Sequence, residues 1–227
     1  MRLKPLSPQL ATKLAKKASK ISKELRYKII ETKSVDVDSI IVLGDGDVDD
    51  IVVPIVCYHL NGTKTVGITK PEKTRISVLR DFPIYVSKLK ISRIVLIMDQ
   101  EDDLIDTIYK QVESNLCDLH IEFDLSKAED RMRKYNCRLG SRTFDFILIV
   151  SGLEEILANK HRIEDHLVKA AINLDKIDPP SGKIDTKITW KTLDESLKSE
   201  ILNRLKESKS FSYKIFPQHF NGLELLK

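Results

Sequence analysis

The chain has 227 residues, of which 41% are hydrophobic and 32% charged, so it can bury a core of ordinary size and is too apolar for wholesale disorder. Eight glycines and eight prolines exclude collagen-like and low-complexity classes, and no apolar run approaches the roughly 18 residues of a membrane span, so no membrane partner is expected. The net charge of +4 is unevenly spread, with +8 in residues 1–34 and −4 in the remainder.

A basic segment on a mildly acidic body points to a polyanionic partner, nucleic acid first, because Lys and Arg gain affinity by releasing counterions from phosphates; the plainer reading is a solvated helix face. The opening segment lacks the continuous apolar stretch and cleavage site of a secretory leader, and a cytoplasmic location is expected. Ser7 and Pro8 fit an N-cap and first helical position, after which Leu10, Leu14, Ala18, Ile21, Leu25 and Ile29 recur at spacings of three and four. The apolar stripe of this helix is expected to dock on the body. Lys13, Lys16, Lys17, Lys20 and Lys23 then lie mostly on the exposed arc as candidate nucleic-acid contacts.

From residue 39 short β-branched runs alternate with helical segments. Strands are expected at Ser39–Leu43, Thr63–Thr69, Arg93–Met98, Leu119–Asp124 and Phe144–Val150, with helices near residues 48–60, 74–89, 102–116 and 126–136. Connections of that length suit parallel crossovers, and runs such as IIVL, IVLIM and FILIV are apolar throughout. The fold class predicted is α/β, a mostly parallel sheet covered by helices on both faces. Beyond Val150, Leu153–Leu174 carries helical periodicity, DPPSG at 178–182 reads as a turn, and a further helix is expected over Leu193–Lys206. The aromatics of the tail, Phe211, Tyr213, Phe216 and Phe220, are expected to pack back on the body. Cys57, Cys117 and Cys137 are widely spaced and odd in number. They exclude a disulfide framework and a CxxC zinc site, and read as buried small hydrophobes.

In open parallel sheets ligands bind beyond the carboxyl ends of the strands. Two of those positions are acidic: Gly44-Asp45-Gly46-Asp47-Val48-Asp49-Asp50 after the first predicted strand and Asp99-Gln100-Glu101-Asp102-Asp103 after the third. If the two strands are neighbours, the loops converge on one negative pocket, which a hard divalent cation would make tolerable. Asp49, Asp50, Asp102 and Asp103 are explained as helix-capping residues, leaving Asp45, Asp47, Asp99 and Glu101 as the candidate site. Neither a GxGxxG loop, a P-loop nor a GxSxG elbow is present. Glu164, Asp165 and His166 read as part of a surface helix, and Lys64, Lys70, Lys73 and Arg75 as surface residues.

These residues resemble the Toprim domain shared by topoisomerases, primases and nucleases of the overcoming-lysogenization-defect type. Val42-Leu43-Gly44-Asp45-Gly46-Asp47 matches the Gly and trailing acid of the first motif, and Ile97-Met98-Asp99-Gln100-Glu101 matches the second, with Glu for its final Asp. Ile163-Glu164-Asp165 resembles a segment of some small Toprim-like proteins. The resemblance implies a Toprim-like domain over residues 37–151; the charge and periodicity read above place a basic amphipathic helical arm at 1–36 before it and a helical extension over 152–227 packed on it. It further implies a Mg²⁺- or Mn²⁺-dependent nucleic-acid-processing protein, a nuclease acting as a phosphodiester hydrolase. Asp47, Asp99 and Glu101 would be metal ligands, and Asp45 an acid/base or additional ligand. Leu43 stands where the family has its glutamate. The alternative is therefore a catalytically degenerate Toprim-like module that binds nucleic acid or a protein partner, with homo-oligomerisation open.

Overall fold

The computed structural model describes residues 1–44, 46, 48–72 and 75–227, without the side chains of Pro8, Ser19, Lys20 and Glu24. Its strands are β1 (Arg2–Pro5), β2 (Ser39–Val42), β3 (Thr65–Thr69), β4 (Arg93–Asp99), β5 (Glu122–Glu129), β6 (Met132–Leu139) and β7 (Arg142–Ser151). Among the described residues these form one seven-stranded sheet in the order β1-β3-β2-β4-β7-β6-β5. Every neighbouring pair from β1 to β7 is parallel, and β6 and β5 complete the sheet in antiparallel fashion. The chain is thus α/β with a mostly parallel sheet.

The helices are α1 (Pro8–Leu25), α2 (Asp49–Leu60), α3 (Phe82–Ser87, entered from a 3-10 helix over Arg75–Asp81), α4 (Ile105–Asp118), α5 (Ile163–Asn173), α6 (Thr186–Thr192), α7 (Glu195–Glu207), α8 (Lys209–Ile215) and α9 (Pro217–Glu224). Because successive residues of a strand point to opposite faces, the central strands feed two separate cores. Ile41, Val95, Ile97, Ile147 and Ile149 join Leu14 of α1, Val52 and Val56 of α2, Leu167 of α5 and Phe220 of α9. Ile40, Val42, Ile94, Leu96 and Phe146 join Phe82 of α3 and Ile108, Val112 and Leu116 of α4. Among the described residues no helix is long and apolar enough to cross a membrane.

The start of α1 follows from its sequence: the Ser7 side chain accepts from the Leu10 N–H, and Leu10, Leu14, Ala18 and Ile21 are buried. Just before it, β1 extends the sheet beyond β3, a strand the sequence pattern does not announce.

The helix expected near residues 126–136 is instead the hairpin of β5 and β6. Glu, Lys, Arg and Met in SKAEDRMRKY favour helix locally, but pairing of β6 along β7 overrides that preference and buries Met132, Tyr135 and Cys137. Gly140, with φ of 58°, supplies the left-handed residue of the short turn into β7. In β5 the register slips between Leu125, opposite Tyr135, and Lys127, opposite Lys134, so Ser126 is an extra residue in a bulge.

Three smaller expectations also change. Residues 153–162 are irregular, and the helix begins only at Ile163, because their backbone pairs instead with other loops, at Glu101–His161 and Ala158–Ile184. Cys57 and Cys137 are buried, but Cys117 is exposed on α4. In the tail, Phe216 and Phe220 are buried while Tyr213 is exposed.

Candidate functional site

β2 and β4 are direct parallel neighbours, with Val42 opposite Leu96. The chain leaving β2 and the chain leaving β4 therefore emerge side by side, as the sheet rule anticipates. Between them opens a cleft of about 330 Å³ lined by Gly44, Asp49, Met98, Asp99, Glu101 and Asp102, with Arg75, Lys160 and Arg162 on its rim.

Asp99 is the last residue of β4, and its Oδ1 accepts a hydrogen bond of 2.9 Å from the Ile163 N–H at the start of α5. Burial, then the nearby carboxylates of Asp49, Glu164 and Glu101, push its pKa well above the usual aspartate value. Gly46 matters here because a Cβ at that position would lie 2.9 Å from Asp49 Oδ2. Behind the cleft Asp50 is fully buried and ion-paired with Lys17 and Lys70, each at 3.2 Å, while Lys70 also donates to the Gly46 carbonyl at 2.7 Å.

Glu101 adopts a left-handed backbone with φ of 60°, and its N–H and C=O both pair with His161 at 2.8 Å. That exchange brings Arg162 alongside. Arg162 Nε and Nη2 each donate to one Glu101 oxygen at 2.9 Å, and Lys160 Nζ lies 3.4 Å away. Arg75, also left-handed at φ of 53°, pairs with Asp103 and donates to the Gln100 carbonyl at 3.3 Å.

Of the residues singled out from the sequence, Asp99 and Glu101 share the cleft, and Asp45 and Asp47 lie outside the described residues. The capping explanation for the other acids holds in part: Asp49 and Asp50 lie in the first turn of α2, where they complement its dipole, whereas Asp102 and Asp103 lie before α4. Val48 and Leu104 are the N-cap residues of α2 and α4 and make no side-chain cap bond; Asp49 lines the cleft, Asp50 takes two lysines, Asp102 is exposed and Asp103 takes Arg75. On α1, Lys13, Lys16 and Lys23 are exposed, but Lys17 is drawn inward by Asp50, and the side chain of Lys20 lies outside the description. Sequence reading missed Asp49, Glu164 and Arg162 as site residues. Asp49 stood in the acidic run after the first strand but was explained as a cap, Glu164 stood in a segment read as a surface helix, and Arg162 carried no signal.

The expected Mg²⁺ or Mn²⁺ can be tested against the donors. Both oxygens of Glu101 are occupied by one guanidinium, and Leu43, which the Toprim resemblance sets against a glutamate, is fully buried in the core. Among the described residues no group of three or more His, Cys, Asp or Glu side chains is arranged to hold a metal ion. The described donors do not fit a metal centre.

No family model, curated protein or solved structure matches this chain.

Behind the cleft α5 carries a second polar cluster, and here the surface-helix reading of residues 164–166 is corrected: Asp165 and His166 are fully buried. Asp165 accepts from the Leu153 N–H at 3.1 Å, from Thr186 Oγ1 at 2.7 Å and from His161 Nδ1 at 2.9 Å. His166 donates from Nδ1 to the Ile215 carbonyl at 2.6 Å and accepts at Nε2 from Gln218 at 2.9 Å and the Gly152 N–H at 3.3 Å, which fixes its neutral tautomer. Burial, and then His219, hold its pKa well below the usual value, while burial alone lowers His219 to about 3. Ser151 Oγ and His219 Nε2 are 3.1 Å apart. Both are sealed from solvent, so this pair anchors β7 to α9 and has no route to a substrate.

Proposed function

We propose that the chain is a Toprim-like module that binds nucleic acid through phosphate contacts and has replaced the catalytic cation of its acidic cleft with an arginine. The carrying observation is the two-pronged Arg162–Glu101 pair, 2.9 Å on both prongs. A guanidinium matches a carboxylate's geometry and cannot be titrated away, so it neutralises the second acid of the Asp-x-acid motif permanently. The adjacency of the strands ending at Val42 and Asp99 supports the Toprim-like reading, and the +8 of residues 1–34 supports a polyanionic partner.

The test is to incubate the protein with single- and double-stranded DNA and RNA in Mg²⁺, Mn²⁺ or chelator. Binding without cleavage is expected, with no change on chelation and no shift of the thermal midpoint at millimolar metal. A second reading, the metal-dependent phosphodiester hydrolase, is favoured by the crowding of Asp49, Glu164 and Glu101 around Asp99. Mn²⁺-dependent cleavage that disappears in Asp99→Asn would establish that reading in place of the first.

A further inference from the structure

Beside the acidic cleft lies a second depression whose lysines are mostly not those of α1. Helices α6 and α7 fold across from α1 and the start of α2, leaving a trough of about 400 Å³ between them. Its lining takes Lys17 from α1, Lys187 and Lys191 from α6, and Lys198 from α7, against two acids, Glu164 and Glu195. Burial raises the pKa of Glu164, which lessens its opposition to an anion. Lys17 and Lys198 are steered by Asp50 and by Glu195, whereas Lys187 and Lys191 are exposed to solvent.

Half-buried Ile51 and the small exposed part of Trp190, otherwise packed in the core, supply apolar surface between these charges. At one end Gly46 and Glu164 bring the trough beside the acidic cleft. At the other, Lys17 and Ile51 carry it into a hollow of about 130 Å³ whose remaining walls include Ile21, Ile55 and Leu202. Lysines contributed by three separate helices suit a chain of phosphates better than one phosphate. Apolar surface between them suits unstacked bases, as in sites that bind single strands without reading sequence. A hollow this narrow does not admit a duplex.

We infer that this trough is the path of a single-stranded nucleic acid, with phosphates on Lys187, Lys191 and Lys17 and bases against Trp190 and Ile51. The inference rests on the nucleic-acid-binding reading above and locates it.

The chain has one tryptophan, so its fluorescence reports the trough directly. Titration of the full chain with an oligothymidylate should change Trp190 emission to saturation. Lys187→Gln with Lys191→Gln should weaken binding about ten-fold at low salt and lower the salt slope by about 1.4, two contacts on a single strand. The paired control Lys88→Gln with Lys110→Gln removes the same charge from exposed positions on α3's end and α4 and should leave affinity unchanged. Thermal midpoints of both pairs check folding. If both pairs weaken binding equally, or if Lys16→Gln with Lys23→Gln weakens it and the α6 pair does not, the trough is overturned while the binding reading stands. Tighter binding to a duplex of the same length also overturns the trough. If no oligonucleotide binds at low salt, both fall.

Discussion

The cleft, at the end of β4, and the buried cluster, at the end of β7, meet at α5, yet they manage charge in opposite ways. In the cluster every carboxylate oxygen of Asp165 meets a neutral donor or a histidine, and the histidines His166 and His219 are kept neutral by burial. In the cleft four carboxylates crowd together, and relief comes from a guanidinium and from raising the pKa of Asp99. One region is closed and largely hydrogen-bonded, with His219 Nδ1 left without a partner among the described residues; the other is held near imbalance and open to solvent. The difference teaches that burial of polar groups alone does not mark a site, since the more deeply buried set here is the structural one.

The largest effect should come from breaking the satisfied side. Asp165→Ala strands the Leu153 N–H, the Thr186 hydroxyl and the His161 imidazole, and should cost about 3 kcal/mol or more in urea denaturation at neutral pH. A loss below about 1 kcal/mol would mean that water replaces the carboxylate and that the contrast between the regions is weaker than drawn.

Acid comes next. His219 titrates near 6.5 in the unfolded chain and near 3 when folded, so below about pH 6.5 the unfolded state takes the proton first. Its contribution is whole above that pH and is lost as pH falls toward 3, at about 1.4 kcal/mol per unit, with His166 acting in the same direction. Asp99 has the opposite sign: its raised pKa favours folding below 3.8 and costs stability as pH rises through the folded value. Denaturation curves between pH 5 and 7 should therefore show a net fall in stability toward acid. A flat profile would place Asp99 and the histidines on equal footing.

The smallest effect sharpens the cleft side. Asp99→Asn keeps an oxygen for the Ile163 N–H and removes a charge opposed by burial and by three acids, so at pH 7 it should leave stability unchanged or raise it by up to about 1 kcal/mol. Destabilisation by more than that would reveal a cation resident beside the carboxylate, and with it the hydrolase reading.

Much of this architecture is legible in the residues because the parallel strands are continuous β-branched runs. β2, β4 and β7 lie where IIVL, IVLIM and FILIV place them, and strand adjacency then follows from topology rules. The strand expected at Leu119–Asp124 reaches only the start of β5; the rest of β5 and all of β6 were hidden because their sequence is rich in charged helix formers, and pairing in the sheet with β7 turns them into strands. The same holds for the site. Asp99 and Glu101 could be found because they end a strand, but Arg162 and Lys160 come from a loop some sixty residues later, and their meeting with Glu101 depends on a backbone bridge with His161 that no local pattern encodes. His166 was misread because Glu164 and Asp165 beside it look solvated, and nothing in the segment shows that α8 and α9 will cover it.

The extra residue at Ser126 has a consequence for solubility. β5 is the outermost strand of its side of the sheet, eight residues long, and exposed along most of its length. A straight edge of that kind is a template on which another strand can add, and repetition of the step leads to fibrils or precipitate. The bulge bends the edge at its middle and, with Lys127 beside it, spoils the register that a second copy would need. Deleting Ser126 would leave the cleft and the trough untouched and would straighten β5, turning a protective kink into a sticky border that concentration-dependent light scattering could detect.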